Sequence, residues 1–417
     1  MTGTEPCRVA VLASHPIQYF TPLYRQLAAQ PALELEVFFC RNFGVTAQYD
    51  KQFGQAIRWD TDQLSGYRHR FLSSISPIKD PFNPLHAINP GAFFYLLRGF
   101  DALWVNGYMY PSNWLAAFGA LLSRTKILFR SELRLYPNRA KTPLAAIRDA
   151  VVGAWVRHSD ALLYIGEGNR QAYLAYGASP DKLHFTPYSV DVDRIARASC
   201  GGPGEREALR RKWEIPTDRI IVAYVGKLTP RKHPEALLEL CAKPALTSGA
   251  HIVFAGSGPE EALLRREVER RGIKNVSFLG FVNQRALPEV YSLADLFVMP
   301  SEFEPWGLVL NEAMAAGLPV VVSDEVGAAE DLVNGHGTGY VFPSGRWDIM
   351  AEEVERLVAD AELRKRFGEA ARARTQLYSN DAAVEGILAA LRALGLYAPP
   401  AERITADRAR AQRELVG

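Results

Sequence analysis

Glu304 and Glu312 stand eight residues apart in the stretch Ser301–Pro319, SEFEPWGLVLNEAMAAGLP, with Trp306 and Gly307 between them. The apolar run Leu296–Pro300 before it reads as a buried strand, and Leu308–Ala316 reads as a helix. Gly307 therefore marks the turn from loop to helix. The free backbone N–H groups of Gly307, Leu308 and Val309 would open at the helix N-terminus, which draws a phosphate through its unpaired donors and its dipole. Glu304, in the loop, can reach a sugar attached beyond the phosphates. Glu312, in the second helical turn, can reach back to a ribose, because a carboxylate accepts two hydroxyl hydrogen bonds well. Two solvated surface carboxylates would be the ordinary fate of Glu. That reading is kept for Glu302 and set aside for Glu304 and Glu312.

A second cluster follows the strand-like run Ile220–Val225. In VGKLTPRKH, Val225–His233, the turn at Gly226 leads into Lys227, Arg231 and Lys232. Cations on one strand-end loop would neutralise a diphosphate and stabilise its charge as it leaves. A basic loop taken alone is ordinarily solvent-facing. Its place opposite the Glu304 loop favours the chemical reading. Gly256 and Gly258 mark another strand end but lack the third glycine of a dinucleotide fingerprint. In FLGFV, Gly280 and Val282 either bring backbone groups to a nucleobase or simply form a turn.

The first half is less explicit. After its first strand, SHPIQYFTPLYRQL places His15, Gln18 and Tyr19 on a cleft floor. His15 contacts a donor phosphate, an acceptor hydroxyl, or only its packing neighbours. Asn106 and Tyr108 end another strand with an amide and an aromatic ring, which suit sugar contact. Arg130 and Glu132 sit at the end of Lys126–Arg130. Asp60-Thr61-Asp62 and Asp191-Val192-Asp193 spell D-x-D, but the first lies in an early loop with no partner ligands and the second in a strand-end segment, so no metal site is expected.

These residues need scaffolds that present strand ends to a common cleft. Arg8–Ala13, Leu33–Cys40, Ala102–Asn106, Lys126–Arg130 and Ala161–Ile165 read as strands, with a helix at Pro22–Ala29. The second half repeats the alternation with Ile220–Val225, His251–Ala255, Val276–Leu279, Leu296–Pro300 and Pro319–Ser323, and helices at Glu260–Arg271 and Leu308–Ala316. Alternation of this kind predicts parallel sheets covered by helices. The reading is α/β, with two Rossmann-like doubly wound domains facing a central cleft. Residues 1–198 form the acceptor-binding half and 199–376 the donor-binding half. Residues 377–417 form a helix returning toward the first domain, plus a tail. The join falls in the glycine-rich Ala198–Glu205. The proline-rich segment Ser73–Pro90 is a long irregular loop, and no role attaches to the tail after Pro400.

At 417 residues the chain suits two domains of roughly 100–200 residues each. A net charge of +2 excludes the polybasic excess of a nucleic-acid binder. Cys7, Cys40, Cys200 and Cys241 are scattered and read as reduced thiols. No signal peptide and no run of about 18 apolar residues is evident. A cytoplasmic location follows, with peripheral contact at the inner membrane face left open. Phe93–Phe100 (FFYLLRGF) is read as a core-facing helix in preference to a membrane-surface one.

The ordered set GKLTPRK, FAGSGPEEALL, FLGFV, LADLFVMPSEFEPWGLVLNEAMAAGLPVVVSD and GTGYVFPSG resembles glycosyltransferase family 4, the "group 1" enzymes of GT-B fold. The match is close over about Ile220–Gly345 and weaker at TPYSVDVDRI. The resemblance implies a retaining, metal-independent hexosyltransferase with no cofactor, its nucleotide-diphosphate sugar serving as co-substrate. It places Glu304 at the donor sugar, Glu312 at the ribose, and Lys227 and Lys232 at the diphosphate. Lys227 replaces the family's commoner arginine, keeping charge but losing bidentate geometry. Family members often carry a histidine where this chain reads Arg130-Ser131-Glu132, so Arg130 or Glu132 takes that contact. UDP is taken ahead of GDP as the commoner nucleotide in such enzymes. The acceptor is a glycan, a lipid carrier or a small molecule. The rival readings are a catalytically degenerate nucleotide-sugar-binding module, and an epimerase or a phosphorylase on the same fold. Oligomeric state is not legible.

Overall fold

The computed structural model describes residues 6–78, 83–135, 142–199 and 202–398. Cys200, Pro81 and the tail after Pro400 lie outside the described residues. The first half builds a seven-stranded sheet in the order Arg68–Phe71, Leu33–Phe39, Cys7–Ala13, Ala102–Asn106, Lys126–Arg130, Ala161–Tyr164, Leu183–Phe185. Every pairing is parallel. Val11 lies between Val37 and Trp104, and all three are fully buried. Continuous apolar runs are what a parallel strand needs when helices cover both faces.

The second half builds a six-stranded parallel sheet in the order Val276–Gly280, Ala250–Ala255, Ile220–Val225, Leu296–Met299, Val320–Ser323, Gly339–Phe342. In each sheet the strand order reverses beside the first strand. That is the switch point, where connections leave in opposite directions and a crevice opens at the carboxyl ends. In the first sheet it lies between Ala13 and Asn106. In the second it lies between Val225 and Met299.

Three features tie the halves together. Helix Asn380–Ala393 lies in the core of the first sheet, burying Val384, Ile387 and Leu391, and Gln26 donates to Asp381 at 3.0 Å. A side chain at Gly386 would meet the Phe185 carbonyl at 1.9 Å, so glycine permits the helix to sit on that strand. The small hairpin of Gln48–Asp50 and Gln55–Ile57 reaches the opposite half, where Phe53 packs edge-on to Phe281 and Gln55 donates to Ser257 at 3.0 Å. On the far side, Arg134 donates to the carbonyls of Asp324 and Glu325.

Several elements differ from the sequence reading. The first helix begins at Phe20 rather than Pro22, because a proline in the first turn has no N–H to lose. Strands Arg68–Phe71 and Leu183–Phe185 were not expected; they are short edge strands with too little apolar sequence to announce themselves. Ala198–Glu205 is largely helical: one helix ends at Ser199 and the next begins at Pro203. Helix Gly91–Leu96 buries Ala92 and Leu96 but exposes Phe94, and Leu97 beyond it is exposed too, so Phe93–Phe100 is not simply core-facing.

Candidate functional site at the facing strand ends

Two of the three catalytic candidates of the second half, Lys232 and Glu304, meet at its switch point. Lys232, on the short 3-10 turn Pro230–Lys232, makes a close ion pair with Glu304. Both side chains are mostly buried. Glu304 is fixed from behind. Its N–H donates to the Glu325 carbonyl at 3.2 Å, and its own carbonyl accepts from Gly327 at 2.9 Å. Gly307 has φ 101°, a left-handed turn that opens helix Leu308–Ala315 with no side-chain cap. A side chain there would meet Glu304 Cγ at 3.3 Å, so helix start, carboxylate and ammonium are contiguous. Burial, with the like charges of Arg231 and Lys227, pushes the Lys232 ammonium down to about 7, while the Glu304 carboxylate against it favours the charged form. Arg231 is exposed.

Lys227 reaches across the groove. Its Nζ lies 3.2 Å from Asp50 Oδ2 and 2.7 Å from Gln52 Oε1, with the Phe53 ring beneath it at 4.7 Å. Burial lowers its pKa, and Asp50 opposes that shift. His15 lies in the same field. Burial, then Arg41 and Lys227, push it down to about 3, so the imidazole stays neutral. Its Nδ1 faces Ser14 Oγ at 2.9 Å and Arg41 Nη2 at 3.5 Å. Arginine only donates, so Nδ1 accepts and the ring proton belongs on Nε2.

Glu312 is buried one turn further along the helix. Tyr291 donates to it at 2.7 Å, and Tyr19 faces it from the first half across the cavity they share. Burial raises its pKa to about 7. It borders a cavity of about 130 Å³ lined also by Gln18, Tyr19, Arg194 and Gln284. Gln18 and Tyr19 thus meet Glu312 at one site.

Other expected donor contacts are engaged elsewhere. The Gly226 N–H donates to the Ala255 carbonyl at 3.0 Å, and the Gly256 N–H to the Gly280 carbonyl at 2.8 Å. A side chain at Gly256 would lie 1.8 Å from the Gly226 oxygen. These glycines let strand ends touch; their amides are not free for a phosphate, and the Gly280 carbonyl is likewise engaged. Val282 packs against the core. Trp306 is buried between the halves, donating to Asn311 at 2.9 Å and packing on Tyr188 and Tyr378. It is a packing residue, because its indole N–H is already paired.

Asn106, Tyr108, Arg130 and Glu132 border one cavity of about 350 Å³ in the first half. Asn106 accepts from the Trp104 indole at 3.1 Å and donates to the Leu12 carbonyl, so its amide is largely committed. Arg130 is buried among Phe20, Trp104 and Tyr188 and donates to the Pro187 carbonyl at 3.2 Å. Tyr188 donates to Glu132. The D-x-D carboxylates are engaged in protein contacts: Asp60 accepts across the halves from the Arg285 N–H, Asp62 pairs with Arg25, and Asp191 accepts from the Arg194 N–H. Glu302 is exposed but hydrogen-bonds to His233 at 2.9 Å. Among the described residues no group of three or more His, Cys, Asp or Glu side chains is placed to hold a metal ion.

Sequence reading missed Asp50, Gln52, Arg194, Gln284 and Tyr291. Arg194 lies within the TPYSVDVDRI segment but was not singled out; the others come from distant elements and carry no local pattern, Asp50 on a three-residue strand.

Two Rossmann-like domains whose strand ends face one another make the GT-B fold. Residues 205–374, within the second half of the chain, match the family Glycosyl transferases group 1. The Alpha-D-kanosaminyltransferase of Streptomyces kanamyceticus is 35% identical over 250 residues, 58% of this chain and 62% of that protein. The GDP-mannose-dependent alpha-mannosyltransferase of Mycobacterium tuberculosis is 29% identical over 287 residues, 66% of this chain and 69% of that one. The chain thus spans a little under two thirds of the first relative's length and slightly more of the second's. HepE from Anabaena, in a crystal structure with UDP, shares the fold at TM-score 0.70 and 16% identity, covering 93% of this chain and 99% of that one.

Proposed function

We propose that this chain is a retaining, metal-independent glycosyltransferase that takes a sugar from a nucleotide-diphosphate donor and passes it to a hydroxyl acceptor. Residues 199–376 hold the donor and 1–198 the acceptor, with 377–417 returning to the first half. The observation that carries the reading is Lys232 seated on Glu304 beside the uncapped helix start at Gly307. A diphosphate entering there meets one ammonium, a second at Lys227, and the free N–H groups of the first helical turn. Glu304 faces the donor sugar, and Glu312 the ribose.

The bond from the sugar's anomeric carbon to the phosphate oxygen breaks first, leaving an oxocarbenium-like centre. Lys227, Lys232 and the helix start take up the charge on the departing diphosphate. The acceptor oxygen forms its bond from the same face and gives its proton to a donor phosphate oxygen. His15, neutral and carrying its proton on Nε2, can donate a hydrogen bond but does not act as a cation. Uridine is taken as the base, in keeping with the UDP bound by the Anabaena protein; guanosine is the alternative, because the mycobacterial relative depends on GDP-mannose.

Melting the full chain with UDP, GDP and their sugars tests this, since a ligand that binds only the folded state raises the melting temperature. A diphosphate should raise it and the bare nucleoside should not. If no nucleotide diphosphate shifts melting, the donor assignment fails.

A further inference from the structure

Helix Pro111–Ser123 is built inside out. It buries its small residues, Ser112, Ala116, Gly119 and Ala120, and turns its large apolar ones to solvent. Trp114, Phe118, Leu121 and Leu122 fall at the i, i+4, i+7, i+8 spacing of a single helical face and are all exposed, Leu121 by 70%. The neighbouring helix Gly91–Leu96 is in intimate contact, since a side chain at Gly119 would meet the Phe93 carbonyl at 2.7 Å. Phe93 stacks on Phe118, and Phe94 adds an apolar group exposed by 62%. Helix Pro143–His158 continues the face with Leu144, exposed by 76%, and Ile147, and joins it through Trp114 against Trp155. Single exposed apolar residues are ordinary, but a continuous face on three adjacent helices marks an interaction surface.

Charge selects the partner. Neither 83–100 nor 106–131 contains an aspartate or glutamate, while Arg98, Arg124 and Lys126 fall within them and Arg130, also there, is buried in the cleft. Arg98 and Arg124 are exposed at the ends of the first two helices. Among the described residues no helix is long and apolar enough to cross a membrane. Bulky apolar groups rimmed by cations on a surface that does not span suit the headgroup boundary of an anionic bilayer. The cavity of Asn106 and Tyr108 opens alongside, with Met109 on its rim.

We infer that this face docks the protein peripherally on an anionic lipid surface. The inference stands on the surface alone and does not need the donor reading. The full chain should co-sediment with phosphatidylglycerol–phosphatidylcholine vesicles, less with phosphatidylcholine alone, and less as salt rises. Phe118→Ser with Leu121→Ser should weaken binding at least about tenfold, and Arg98→Glu with Arg124→Glu should remove the preference for anionic vesicles. Both variants should keep the parent melting temperature and nucleotide response, because none of these residues touches the cleft. Sedimentation equilibrium separates the other occupant. A dimer that Phe118→Ser and Leu121→Ser dissolve, with no vesicle binding by the parent, overturns the inference, as does vesicle binding that neither variant alters.

Discussion

Lys227 of the second half holds Asp50 of the first, Nζ to Oδ2 at 3.2 Å, so one cation spans the groove between the sheets. The same ammonium is assigned to the diphosphate, so Asp50 and the ligand compete for it. Lys227→Met should weaken nucleotide-diphosphate binding by about tenfold or more, the range of a lost charge-assisted contact. Asp50→Asn should leave affinity unchanged or raise it. Calorimetric titration of both variants decides the matter. Equal losses would make Lys227 an interdomain clasp and nothing else.

Glu304 is placed to act on the sugar rather than on the nucleotide. Glu304→Gln should lower turnover by about a hundredfold or more, the scale of one lost electrostatic contact in a transition state. The dissociation constant for the nucleotide diphosphate should move little. Near-parental turnover in this variant would remove Glu304 from the mechanism.

Binding should depend on pH from two sides. Ribose hydroxyls donate best to an ionised Glu312, whose pKa is raised to about 7, so affinity falls as pH drops below that value. Lys232, lowered to about 7, loses charge as pH rises above it. Affinity should peak near neutrality. Lys232→Arg should extend the alkaline limb, because a guanidinium keeps its proton. An unchanged alkaline limb in that variant would take Lys232 out of the phosphate contact.

The same carboxyl group bears on folding. Glu312 titrates near its ordinary 4.5 when unfolded and near 7 when folded. A raised pKa means that its contribution is fully present below about 4.5 and is lost as pH climbs to 7. Without ligand, Glu312→Gln should therefore be more stable than the parent above pH 7, by an amount of order 3 kcal/mol. Thermal melts from pH 5 to 8 check the divergence; parallel curves would count against the shift.

Gly256 carries a purely steric prediction. A methyl group there would fall 1.8 Å from the Gly226 oxygen, a backbone atom with nowhere to go. Gly256→Ala should cost about 3 kcal/mol or more, with a melting temperature lower by roughly 5–10 °C. A neutral result would contradict the close approach of the two strand ends.

Local sequence by itself determined a great deal here. Central strands such as Ile220–Val225 and Ala102–Asn106 were legible to the residue, because a strand buried on both faces must be apolar throughout. The E-x7-E spacing and the glycine before Leu308 marked a helix start with carboxylates on either side, a feature of one continuous segment. Tertiary structure decided what the first half contributes. Asp50 and Gln52 reach Lys227, and Tyr19 reaches Glu312, only because two sheets turn their carboxyl edges toward each other. The glycines at 226 and 256, legible in sequence only as strand-end turns, spend their amides on neighbouring strands. The outward turn of Phe118 and Leu121 was likewise invisible in composition, since an apolar stripe reads the same whether it faces a core or water. Periodicity records that one face of an element is apolar; which partner covers it is a property of how the elements pack.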